Sequence, residues 1–276
     1  MRSNADKVFY YHADANSLGG FIEKPFEKII PAQASISLPA VGGYATARTE
    51  SFLFEEIVSC RSAYTRVSGR EIEKDGPWST LVTSVVEGLN LLEVVTAERI
   101  VAQISVEHPK EGGYPIVSFT GTRFEKLRVA GRDVSPVMNS NLLPFDRRGD
   151  QSLWPVFLKT GQEQASQLIQ SVRQGAGRKD YEWLVQRYGW MDAKRELQKD
   201  GCVLCSLVDG IEGVDPGRSI GHFVEIPDFG RIFLGELMVF PRAIQLTMIR
   251  AELGCNVSGM ATMVGARING TTVPPW

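Results

Sequence analysis

Hydrophobic and polar residues alternate with a period of two along much of this chain. Between residues 99 and 106, Ile100, Ala102, Ile104 and Val106 fall on one side, and Arg99, Val101, Gln103 and Ser105 on the other. Between 243 and 253, Ile244, Leu246 and Met248, joined by Ala251, separate from Gln245, Thr247 and Arg250. Alternation of this kind buries one face of a strand and leaves the other in water. Short runs rich in Val, Ile, Thr and Phe, punctuated by Gly and Pro, extend the pattern. They predict strands at 7–12, 35–38, 49–54, 59–68, 79–89, 100–108, 116–119 and 125–129. Further strands are predicted at 221–226, 230–240, 243–253 and 258–268.

The middle of the chain changes period. Ala165, Leu168, Ile169 and Val172 recur at helical spacing, which places them on one face of a helix starting near Thr160. Gly175-Ala176-Gly177 ends it. Tyr181, Leu184, Val185 and Tyr188 repeat the spacing in a second helix over 179–199, where Gly189 is a weak point. Trp183 and Trp190, two turns apart, are expected to pack this hairpin onto the sheet.

These elements predict a mainly β protein, a β-sandwich or β-roll with an inserted helical hairpin. Strands about ten residues apart do not suit βαβ units. The strands after residue 221 are few for a core of their own. A single β domain over 1–276 is therefore expected, with a helical insertion over 145–220.

Composition narrows the classes. Hydrophobic residues make up 43% and charged residues 22% of the 276 residues, an ordinary globular balance rather than a disordered one. The formal net charge is −2, which argues against a nucleic-acid partner. No apolar run reaches the roughly 20 residues of a membrane span, and no apolar stretch follows Met1-Arg2-Ser3. The chain is expected in the cytoplasm, or exported without a classical signal peptide.

Three stretches carry a family resemblance: residues 78–102, centred on Leu89-Asn90-Leu91-Leu92 and Thr96-Ala97-Glu98; residues 119–134; and Ile226-Pro227-Asp228-Phe229-Gly230 with the strand that follows, 231–236, then 244–248. In order and character they resemble the β-rich region of bacterial choice-of-anchor surface proteins. The resemblance implies a bacterial β module and supplies no catalytic residues. The chain departs from it in its helical insertion and in showing no export signal or anchor.

Candidate chemistry is sparse. Cys202-Val203-Leu204-Cys205 spaces two thiols as half a zinc site or a redox dithiol would. There is no second such motif, and packed thiols are the simpler reading. His12 and Asp14 stand two apart, on one face of a strand, as a base and carboxylate or a ligand pair would. His222 and Glu225 stand three apart, on opposite faces if the strand is regular. Trp78 could offer an aromatic face to a sugar. Gly19-Gly20, Gly42-Gly43 and Gly112-Gly113 read as turns. No nucleophile elbow or phosphate loop occurs, and no cofactor is expected. The leading expectation is a non-catalytic structural, binding or self-assembly protein, with self-association or a protein partner. The alternatives are a metal-dependent hydrolase and a carbohydrate-binding protein.

Overall fold

The structure, a computed structural model, describes residues 8–73, 76–142, 154–174, 181–191, 201–215, 218–240 and 242–273. The chain is mainly β, with short helices set against antiparallel sheets. The first strands are β1 (Val8–Lys24), β2 (Lys28–Gln33), β3 (Ile36–Ser37), β4 (Gly43–Thr49), β5 (Phe52–Phe54), β6 (Val58–Cys60) and β7 (Ser62–Glu71). Then follow β8 (Trp78–Leu91), β9 (Val95–His108), β10 (Ile116–Ser118), β11 (Arg123–Glu125), β12 (Arg128–Val129), β13 (Arg132–Asp133) and β14 (Ser135–Met138). Helices α1 (Trp154–Gln174) and α2 (Glu182–Tyr188) come next, the second running into a 3-10 turn at Gly189–Met191. The last strands are β15 (Val203–Ser206), β16 (Val208–Glu212), β17 (Ser219–Ile220), β18 (Phe223–Ile226), β19 (Gly230–Phe240), β20 (Ala243–Gly254) and β21 (Ser258–Val273).

One sheet runs β17-β18-β19-β20-β21-β1-β2, with β15 on β19 and β3 on β1. The first strand therefore lies beside the last, paired from Val8↔Val273 to Lys24↔Ser258. The second sheet runs β13-β12-β9-β8-β6-β5; β7 joins β8, β4 joins β7, and β10 and β11 join β9. β14 pairs with β16 separately. The sheets meet face to face, β1 and β21 lying over β7, β8 and β9. Phe9, Tyr11, Ala13 and Ala15 point inward from β1, and Ile100, Ala102, Ile104 and Val106 from β9; all are buried. The even-numbered face read from residues 99–106 is thus the core face, and Val101 is buried as well.

Most predicted strands are found, but 49–54, 59–68 and 125–129 each straddle two strands, with breaks at residues 50–51, 61 and 126–127. Two further differences have physical causes. β1 does not stop at Gly19-Gly20. It continues to Lys24, because Gly20 marks a close approach and not a turn: a Cβ there would stand 2.2 Å from the Met260 carbonyl oxygen. Gly42-Gly43 and Gly112-Gly113 do border turns. In the second difference, the buried positions of β20 pass from Ile244, Leu246 and Met248 to Ile249, Ala251 and Leu253. The ladders skip Met248 there, and in line with it Gly235, Val264 and Ser17 on the neighbouring strands. Gly235 and Val264 take positive φ, 64° and 60°. Skipping one residue in each strand changes the phase of the alternation, which is why Ala251 joins the core.

α1 begins at Trp154, earlier than the spacing after Thr160 predicts, because Phe157, Thr160 and Gly161 extend its buried stripe. Gly161 admits the close packing against β15: a Cβ there would stand 2.9 Å from the Leu204 carbonyl oxygen. α2 ends at Tyr188, and Gly189 opens the 3-10 turn. The predicted continuation over 192–199 lies outside the described residues. Trp183 packs edge-on against Phe223 and Phe233 and so seats α2 on the sheet. The helical part is narrower than 145–220. β15, β16 and β17 fall within those limits, and β15 belongs to the first sheet through its ladder with β19.

Candidate functional site

A cleft of about 600 Å³ opens at one end of the sandwich. Val106 and His108 at the end of β9 and Val117 on β10 form one wall. Val239, Ile244 and Ile268, from the facing ends of β19, β20 and β21, form the other. The start of α1 closes a third side with Trp154 and Phe157, and Phe157 is held by an edge-on contact with Phe119, 6.3 Å between ring centroids. The β19–β20 turn stands at the mouth and contributes Phe240 and Arg242. These residues come together because β19, β20 and β21 run in one continuous ladder, Ile244 lying opposite both Val239 and Ile268.

His108 is the inward polar group of the β9 wall. It pairs in register with Trp78, and its ring lies 4.8 Å from Phe9, which stacks on Trp78 at 5.0 Å. Burial pushes the imidazole down to about 4, so at neutral pH it is uncharged, with one nitrogen to donate and one to accept. Gly270 leaves room for this arrangement: a Cβ there would stand 2.4 Å from the Phe9 ring and 3.3 Å from His108 Nε2. Arg242 is exposed at the mouth.

A smaller cavity, about 240 Å³, lies between α1 and the β16–β18 segment. His222 lines it, with Gln164, Ser171 and Asp209. Gln164 Nε2 donates to the Ser206 carbonyl at 3.0 Å and to Asp209 Oδ1 at 2.9 Å, and its Oε1 accepts from Ser206 N at 2.8 Å. Asn139 Nδ2 donates to the same Asp209 oxygen at 2.8 Å. These side chains tie α1 to the strands.

The residues singled out in the sequence do not converge. His12 Nε2 lies 2.8 Å from Asp14 Oδ2, and Ser37 Oγ donates to Asp14 Oδ1 at 2.6 Å, on the outer face of β1. Trp78 is in the core at 5% exposure and offers no open face. His222 lies in the turn before β18, so strand alternation does not govern it. Its Nε2 is 3.0 Å from Tyr188 Oη, while Glu225 on β18 accepts from Tyr181 Oη; both are thus held by aromatic residues bordering α2. Burial pushes His222 down to about 4, against the pull of Glu236. Cys202 immediately precedes β15 and Cys205 lies within it. Cys205 is buried, and burial raises its thiol pKa, which suits a packed thiol. Among the described residues no three His, Cys, Asp or Glu side chains gather as metal ligands would. No helix there is long and apolar enough to cross a membrane.

A family model described as a domain of unknown function, DUF8256, matches residues 9–240. The chain belongs to the DUF8256 family. No curated protein and no solved structure matches it. The DUF8256 match runs from β1 to the end of β19; the remainder of the cleft, on β20 and β21, lies beyond it.

His222, buried, and His108, partly buried, make an acid-sensitivity prediction. Both are held near 4 in the fold, against about 6.5 in an unfolded chain. Above 6.5 they are neutral in both states and stability does not depend on them. Between 6.5 and 4 the unfolded chain takes up protons that the fold refuses, so stability falls as pH falls, by roughly 3 kcal/mol per histidine once the window is crossed. Melting temperature followed from pH 7.5 to 4.5 should drop through this window, and less steeply in His108→Gln. A parent profile that is flat would contradict buried neutral imidazoles.

Proposed function

We propose that the protein is a non-catalytic binding protein that holds a small molecule with an apolar body in the cleft at the end of the sandwich. The observation that carries this reading is the cleft itself. Its volume lies in the range of small-molecule sites, which are mostly apolar with a few placed polar groups. Val106, Val117, Phe157, Ile244 and Ile268 supply the apolar lining, and His108 one hydrogen-bonding group. Burial pushes the His108 imidazole down, and among the described residues no carboxylate adds to that shift, so its role in this reading is to orient a ligand.

The test is a titration with the dye 1-anilinonaphthalene-8-sulfonate, whose emission rises in apolar surroundings. The folded parent should bind about one dye per chain. Val117→Trp, which fills the cleft from the short strand β10, should weaken binding at least tenfold while retaining a cooperative melt. Undiminished binding by folded Val117→Trp would overturn the reading.

A further inference from the structure

The cleft is uneven in charge. Its lining is mostly apolar, with the neutral imidazole of His108 and the amide of Asn269 as polar groups, and its mouth carries a guanidinium. Arg242 is the one residue of permanent charge among the described lining residues. It sits in the turn between β19 and β20, immediately before Ala243 and the inward Ile244. A ligand lying along this wall with its apolar body against Ile244 and Ile268 has one end beside Arg242. A guanidinium pairs best with a carboxylate or similar planar anion, and does so bidentately. Ammonium-headed compounds would meet repulsion there, and uncharged heads would forgo the pairing.

Resting on the cleft reading above, we infer that the ligand is an anionic amphipath, an aliphatic chain or ring system with a carboxylate head, bound with the head at Arg242 and the apolar body inside. The apolar end then lies toward the β9 wall, where His108 rests against Phe9. His108 receives any hydroxyl or carbonyl carried within the body.

Calorimetric titration with octanoate, decanoate, decanol and decylamine, each below its micellar concentration, tests the assignment. Each added methylene that enters the cleft should tighten binding roughly fourfold. Decanoate should bind at least tenfold more tightly than decanol, and decylamine more weakly than either. Arg242→Gln should bring decanoate down to the level of decanol and leave decanol unchanged; Arg242→Lys should restore part of the preference. Equal binding of decanoate and decanol, or a preference that survives Arg242→Gln, would overturn the anionic-head assignment and leave the cleft reading standing. Loss of the preference in His108→Gln but not in Arg242→Gln would place the head inside and overturn the orientation. No binding by any probe, together with dye binding undiminished by Val117→Trp and by a second filling variant, Ile244→Phe, would overturn both.

Discussion

Glu236→Ala is expected to destabilise the fold by about 3–5 kcal/mol, the usual result of breaking a buried ion pair from one side. Glu236 on β19 is 6% exposed. It receives a two-pronged contact from Arg250 on β20, Nε to Oε2 at 2.5 Å and Nη2 to Oε1 at 2.8 Å, and a longer one from Arg187 on α2 at 3.4 Å. Arg250 also pairs with Glu252, which pairs in turn with Arg231 across the strands. The guanidinium of Arg250 lies 3.8 Å from the Phe233 ring centroid and that of Arg231 3.7 Å from the Trp183 ring centroid. Three cations and two anions thus join α2 to the sheet. Removing Glu236 leaves three guanidinium groups facing one carboxylate, in a site where Arg250 is largely withdrawn from water. The exposed pair Arg48–Glu50, by contrast, is worth under about 1 kcal/mol. Urea unfolding of Glu236→Ala measures the loss. The double variant Glu236→Leu, Arg250→Met should recover most of it, because an apolar pair of similar volume avoids desolvating the charges. A Glu236→Ala loss below about 1 kcal/mol would contradict this account of how α2 is held.

Gly20→Ala is expected to cost on the order of 3–5 kcal/mol, combining backbone strain with overlap in a packed sheet. Its φ is 153°, and the added Cβ would stand 2.2 Å from the Met260 oxygen and 2.9 Å from the Ala261 Cα, both backbone atoms that cannot turn aside. Gly259 on β21 makes the reciprocal approach, 2.3 Å from the Phe21 oxygen. Together they set the β1–β21 ladder, the seam that joins the two ends of the chain. Gly254→Ala is the control. Its nearest neighbour would be the Gly230 Cα at 3.9 Å, and its φ is not positive; it should stay within about 1 kcal/mol of the parent. Similar melting temperatures for the two variants would contradict the tight seam.

Much of the fold was legible in the residues because strand alternation is a local signal. Ile100, Ala102, Ile104 and Val106 face the core as their spacing predicts, and β19 spans the predicted residues 230–240. Where the local signal is ambiguous, reading fails. The β8–β9 turn places Leu92 and Glu93 at φ 51° and 58°, positions that usually carry Asn-Gly. Both strands therefore read shorter than their true extents. Gly20 carried a turn signal but serves close packing, and α1 starts at Trp154, before Thr160 where the helical spacing becomes clear. The cleft was not legible at all. Its walls come from β9, β10, α1 and β19–β21, and taken singly Val106, Phe157 or Ile268 cannot be told from core residues. The ion network had a faint trace, since Arg231, Glu236, Arg250 and Glu252 are charged residues within strands of the core sheet, but only the ladder places Arg231 and Glu252 opposite each other.

If the end of the sandwich is the ligand site we propose, its methyl groups respond to ligand. Methyl NMR of Val106, Val117, Val239, Ile244 and Ile268 during titration with decanoate tests it most directly. The account predicts saturable shifts concentrated on these methyls, with Val58, Leu91 and Val95 at the other end of β8 and β9 unmoved. Shifts absent from the cleft methyls, or centred elsewhere in the molecule at saturation, would contradict it.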